Sequence, residues 1–255
     1  MKEKKDSIIQ AIAGIVILIA GIVLCVNTYV VKGNKAYALS LLTAIVGVVI
    51  FLLGLYNMFS TKEKKQVDAK VIAQAALCAA LCYVGATFIK IDIPVGTERT
   101  MFHFGNVFCV LAALLLGGVW GGLSGAVGMT ISDLTTAYVT SAPKTFILKL
   151  CIGLIVGFVA HKLFKLSKEH PVKYVTIATI VSSVCGMLFN VIADPIVGYF
   201  YKTYLLGVPQ DLAKALAKIG ALTTSVNAVI AVVVASIIYL ALRPVMKKSD
   251  MLRDL

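Results

Sequence analysis

The sequence predicts an all-α integral membrane protein: a six-helix core preceded by two further transmembrane helices. Two observations carry this. Of 255 residues, 60% are hydrophobic and only 14% are charged, whereas soluble chains average about 25% charged residues. The apolar residues also fall in runs of about 20, the length that spans a bilayer as a helix.

The first run, Ser7–Val31, follows Lys2, Lys4 and Lys5 and ends at Lys32. It exceeds the roughly 7–15 residues of a signal-peptide apolar region, and no A-x-A site follows, so it reads as a retained helix. Ala36–Ser60 is the second run. Residues 1–61 are thus expected to form a transmembrane helix pair.

Residues 62–70 carry Lys62, Lys64, Lys65 and Lys70 and read as a basic cytoplasmic linker. The core is expected over 71–245, with 246–255 as a cytoplasmic tail. Val71–Ile89 is its first span, and Lys90–Arg99 reads as a polar loop. Phe104–Thr140 is too long for one crossing. Its paired glycines between Gly117 and Gly122 mark a turn, so it divides into a short helix and a second one. Spans over Thr145–His161, Lys173–Tyr201 and Ile219–Leu242 complete eight crossings.

Positive charge tests the count. Eight crossings with the N-terminus inside put 15 of the 24 Lys and Arg residues on the inner side. Reading Phe104–Thr140 as one crossing gives an even split. Short inner loops are enriched in Lys and Arg, which favours eight crossings and two cytoplasmic termini. The net charge of +12 then reflects inner loops facing anionic lipid, not nucleic acid.

No nucleotide-binding G-x-x-x-x-G-K-[ST], H-E-x-x-H or G-x-S-x-G pattern occurs. No catalytic residue, cofactor or metal site is expected. The six cysteines all lie in apolar runs and read as packing residues.

Polar side chains inside spans mark sites and pathways. Here Asp133, Lys149, Asn106, Asn190, Asp194 and Asn227 all fall in the outer halves of their helices, with His103 beside Asn106. By helical rise, Lys149 lies about 6 Å and Asp133 about 10 Å deep. The inner halves are Ala, Gly, Val, Leu and Ile. A cavity open to the outside follows, rather than a channel. Plainer roles stand beside each residue: Lys149 snorkelling outward, an Asp133–Lys149 ion pair, Asp194 capping a kink at Pro195, Asn106 and Asn227 bridging helices. His161 and His170 fall in an inner loop and receive no site role.

Small residues four apart let helices approach closely. Gly117/Gly121, Gly121/Gly125 and Gly153/Gly157 read as internal packing. Ala75/Ala79 and Ala76/Ala80 read as either internal packing or a docking face.

The ordered series Met101-Phe-His-Phe-Gly-Asn-Val, Leu111-Ala-Ala-Leu-Leu-Leu-Gly-Gly118, Gly121-Gly-Leu-Ser-Gly-Ala-Val-Gly128, Ser132-Asp-Leu134 and Ala142-Pro-Lys-Thr-Phe-Ile-Leu-Lys149 resembles the S components of energy-coupling factor (ECF) transporters, the riboflavin-type family above all. The resemblance covers about 70–245. It implies a six-helix subunit in the cell membrane that captures a vitamin-like molecule from outside. It also implies a transmembrane coupling protein and two ABC-type ATPases as partners, with the coupling protein docking on Ala75, Ala76, Ala79 and Ala80. Riboflavin is the first candidate substrate. Phe88, Phe102, Phe104, Tyr138 and Tyr199 are candidates to stack on a flat ring. A stand-alone secondary carrier and a non-transport scaffold or sensor are the alternatives. The N-terminal helix pair departs from the six-helix pattern.

Overall fold

The computed structural model describes residues 8–10, 12–17, 19–21, 69–96 and 98–249. The later part of the first predicted span, the second span, most of the basic linker and residues 250–255 of the tail lie outside the described residues. The chain divides into two compact units, Met1–Gln66 and Val67–Leu255. In the first, a short apolar helix, α1, runs over Ile8–Gly21.

The second unit contains five helices long and apolar enough to cross a membrane. In order it comprises α2 (Ala69–Thr87), β1 (Lys90–Val95), β2 (Glu98–His103), α3 (Gly105–Thr135), α4 (Ala142–Gly157), α5 (Val172–Phe200) and α6 (Gln210–Lys248). A wider π-type turn over Phe158–Leu163 continues α4, and another over Tyr201–Leu205 continues α5. Pro143 lies in the first turn of α4. Pro171 and Pro209 immediately precede α5 and α6. A missing N–H costs nothing at these positions.

The five helices make six rods, because α3 doubles back. Gly117 adopts φ 82° and ψ 176° inside it, a conformation that side-chain-bearing residues avoid. The two arms then run antiparallel. A Cβ added to Gly121 would lie 2.3 Å from the Ala113 Cα, and one on Gly125 would lie 2.3 Å from the Cys109 sulfur. The sequence places the turn broadly across 117–122. In the structure one residue suffices, and Trp120 already lies in the second arm.

Glycine sets the other close approaches. Gly153 lies against Gly122, and Gly157 against Gly118; an added Cβ would come within 2.2 and 2.1 Å of backbone atoms. These contacts seat α4 on the second arm of α3. Gly128 meets the Ala79 carbonyl in the same way and brings α2 in. Leu114, Leu116, Met129, Ile152, Met187 and Tyr239 are among the largest fully buried side chains. Many large apolar residues, among them Leu77, Val172, Leu188 and Val229, face outward, as lipid-facing surfaces require.

The polar loop expected over Lys90–Arg99 is instead an antiparallel hairpin. Lys90 stands opposite His103 and Val95 opposite Glu98, with Gly96 at φ 61° in the turn. Alternating Ile91, Ile93 and Val95 supply a strand period that six residues barely reveal. The last helix is also longer than predicted. It begins at Gln210, so Lys214 and Lys218 lie on its first turns rather than in a loop.

Candidate functional site

The hairpin, the first turns of α3 and α4, the end of the second α3 arm, and parts of α5 and α6 enclose a cavity at one end of the bundle. The cavity holds about 120 Å³ and opens at its mouth. All seven side chains singled out from the sequence line it: His103, Asn106, Asp133, Lys149, Asn190, Asp194 and Asn227.

Lys149 lies two turns into α4 and is only 6% exposed, so it does not snorkel outward. Its ammonium is 3.5 Å from the Asn190 Oδ1 on α5. The ion pair with Asp133 considered from the sequence is not among the contacts found. Asp133 instead accepts a hydrogen bond from the Thr145 hydroxyl at 2.5 Å. The ion pair that does form joins Lys144 and Asp194, at 2.7 Å. The other Asp194 oxygen accepts from Thr224 at 2.9 Å. Asp194 therefore ties α4, α5 and α6 together, more than capping a kink at Pro195 would require.

Asn227 lines the cavity, but both of its polar atoms are engaged. Its Oδ1 accepts from the His103 backbone N–H at 3.0 Å, and its Nδ2 donates to the Met101 carbonyl at 3.1 Å. It anchors β2 to α6 rather than bridging two helices. Thr100 and Thr223 reinforce that seam with a hydroxyl contact of 3.0 Å. On the other side, the Tyr138 hydroxyl donates to Asp92 at 2.8 Å and lies 3.1 Å from the Thr100 carbonyl.

Three buried polar atoms of the lining have no protein partner: Nδ1 of His103, Oδ1 of Asn106 and Nδ2 of Asn190. Buried polar groups are almost always hydrogen-bonded, so these atoms are set to meet something that enters the cavity. His103 closes β2 and is buried. Burial, then the nearby Lys149 ammonium, push its imidazole down to about 3.

Lys144, Thr145 and Thr224 are parts of the site that the sequence reading passed over. Thr145 precedes Lys149 by four residues and Thr224 precedes Asn227 by three. These spacings share a helix face and could have drawn them in. Of the aromatic residues considered for stacking, Tyr138 alone lines the cavity; Phe88 is 71% exposed.

Toward the opposite end, His161, expected in a loop, is buried. Its ring nitrogens contact the Leu114 carbonyl at 3.1 Å and the Ser167 hydroxyl at 3.0 Å. Leu114 lies just before the Gly117 reversal, so His161 partners a carbonyl left open where that arm ends. Among the described residues no group of three or more His, Cys, Asp or Glu is arranged to hold a metal ion.

The four alanines of α2 divide. Ala75 is buried, and its carbonyl accepts from the Ser124 hydroxyl at 2.9 Å. Ala79 packs on Gly128. Ala76 and Ala80 are exposed, beside the exposed Ile72 and Leu77.

Comparison with known proteins adds a family. A family model described as "ECF-type riboflavin transporter, S component" matches residues 66–244. A protein of Pyrococcus woesei described as "Uncharacterized protein in gap 3'region" is 32% identical over 75 residues, 29% of this chain. The chain spans half the length of that curated relative. No solved structure matches.

Proposed function

The chain belongs to the family of ECF-type riboflavin transporter S components, and from that premise we propose that it captures a flavin or related heterocycle from outside the cell for import. The observation that carries this reading is the polar cavity at one end of the helix bundle. Lys149, Asn190, Asn106, Asp133 and His103 form its floor and contact the solute. Asp194 and Asn227 hold the walls in place, and Tyr138 offers a ring for stacking.

The hairpin end faces outward and both chain termini face the cytoplasm. The lysine and arginine distribution supports this orientation. The work of transport falls to separate chains: a transmembrane coupling protein and two ABC-type ATPases. Absence of a P-loop sequence from this chain agrees with that division. Ala76 and Ala80 are the alanines exposed to a coupling protein; Ala75 and Ala79 support them from within. The 66 residues of the first unit are an addition to the capturing core, which begins near residue 67.

Titration of the purified full chain with riboflavin, followed by quenching of flavin fluorescence, tests the reading. Saturable binding at one site per chain is expected. Lys149→Ala and Asp133→Ala should each weaken it about tenfold or more. Equal affinity in all three proteins would remove this cavity as the site. Flavin uptake into vesicles containing this chain and no ATPase would instead favour a stand-alone carrier.

A further inference from the structure

The floor of the cavity has a fixed polarity. Lys149 has no carboxylate among its contacts: Asp194 is taken by Lys144 and Thr224, and Asp133 accepts from Thr145. The one hydrogen bond recorded for its ammonium is the 3.5 Å approach to Asn190 Oδ1. That approach also orients Asn190, because an ammonium has no lone pair and only the amide oxygen can face it. The Asn190 Nδ2 is thereby committed as a donor, and it is buried without an acceptor.

The other two unpartnered atoms are adaptable. The Asn106 amide presents a donor or an acceptor by rotating half a turn, and His103 does so by exchanging tautomers. The two groups that cannot change, Lys149 and Asn190, both require an acceptor. A buried ammonium with no carboxylate in direct contact is costly, and an anion against it recovers that cost.

We infer that the solute of this site is an organic anion whose carboxylate or phosphate group seats between the Lys149 ammonium and the Asn190 amide. This rests on reading the cavity as the solute site, and it narrows the class of solute within that reading. The acidic group goes to the floor, and the remainder of the molecule extends past Asp133 toward Tyr138. Asn106 and His103 then adjust to whatever the solute offers beside the anion.

Riboflavin and riboflavin 5′-phosphate form a suitable probe pair, identical but for the acidic group. Each is titrated into the purified full chain and into Lys149→Gln and Asn190→Asp variants of unchanged elution profile. The phosphate is expected to bind about tenfold or more tightly than riboflavin to the unaltered chain. In Lys149→Gln the ratio of the two affinities should fall to about one. Asn190→Asp supplies Lys149 with its own counter-charge, so it should keep the fold and lose the preference for phosphate. A ratio at or below one in the unaltered chain overturns the inference and leaves flavin capture standing. A preference that survives in both variants also overturns it, because the anion then sits elsewhere. Failure of both flavins to bind removes the flavin reading, and this inference with it. A matched carboxylate derivative of riboflavin, run in parallel, distinguishes the two acidic groups.

Discussion

The Lys144 ammonium lies 2.7 Å from one oxygen of Asp194, joining the start of α4 to the last third of α5 across the cavity wall. Removing either partner leaves a largely buried charge. Lys144→Met or Asp194→Asn should each destabilise the protein by about 2 kcal/mol. The double variant should lose less than the two single changes together, since no stranded charge remains. Thermal unfolding in one detergent measures all three.

The reversal of α3 depends on glycine. Gly121→Val places a side chain where the Ala113 backbone already stands. Overpacking of this kind costs about 1–3 kcal/mol in ordinary cores; against unyielding backbone, the expected result is loss of folded monomer. Gly117→Ala, strained by φ 82°, should cost about 1–2 kcal/mol and leave a folded but less stable protein. Size-exclusion yield and unfolding temperature separate the two.

Asn227 is the clasp of the hairpin. Asn227→Leu loses both hydrogen bonds to β2, at about 1 kcal/mol each. The expected signature is local: faster proteolysis within residues 90–103 and a faster solute off-rate, with little change in global unfolding. A large drop in unfolding temperature without new cleavage would contradict this assignment.

His103 gives a pH dependence of definite sign. Its imidazole is pushed down to about 3, below the ordinary 6.5, chiefly by burial. Between those values the unfolded chain binds a proton that the folded chain refuses. The His103 contribution to stability is therefore fully present above pH 6.5 and is lost as pH falls toward 3. His103→Gln should flatten the stability profile over that interval and leave it unchanged above pH 7.

On α2, Ala76→Trp and Ala80→Trp point outward and should preserve folding and solute binding. The docking proposal expects both to abolish uptake in cells that contain the coupling protein and ATPases. Ala75→Leu and Ala79→Leu should destabilise the fold itself by about 1–3 kcal/mol, because those positions face Ser124 and Gly128. Unimpaired uptake by both tryptophan variants would remove Ala76 and Ala80 from any docking surface.

How much of this was legible in the sequence depended on the kind of signal. The spans announce themselves by length and composition, and paired glycines mark the place where α3 turns. Asn106, Asp133, Lys149, Asn190 and Asp194 stand out because polar atoms within apolar helices need a reason. What the sequence concealed were choices between partners. The one ion pair the sequence suggested was Asp133 with Lys149, and only tertiary packing assigns Lys144 to Asp194 and Thr145 to Asp133. The inward face of α2 was equally hidden. A helix apolar on every side carries no stripe to orient it, so Ala75 and Ala76 look alike until Ser124 is placed. The hairpin was concealed for another reason: six-residue strands interrupted by Pro94 and charged residues resemble a loop.

The seam where Gly118 and Gly122 meet Gly157 and Gly153 brings backbone against backbone. Neither helix can gain even a methyl group there without parting from the other. Any rearrangement of the bundle would therefore carry α4 and the second arm of α3 as one body.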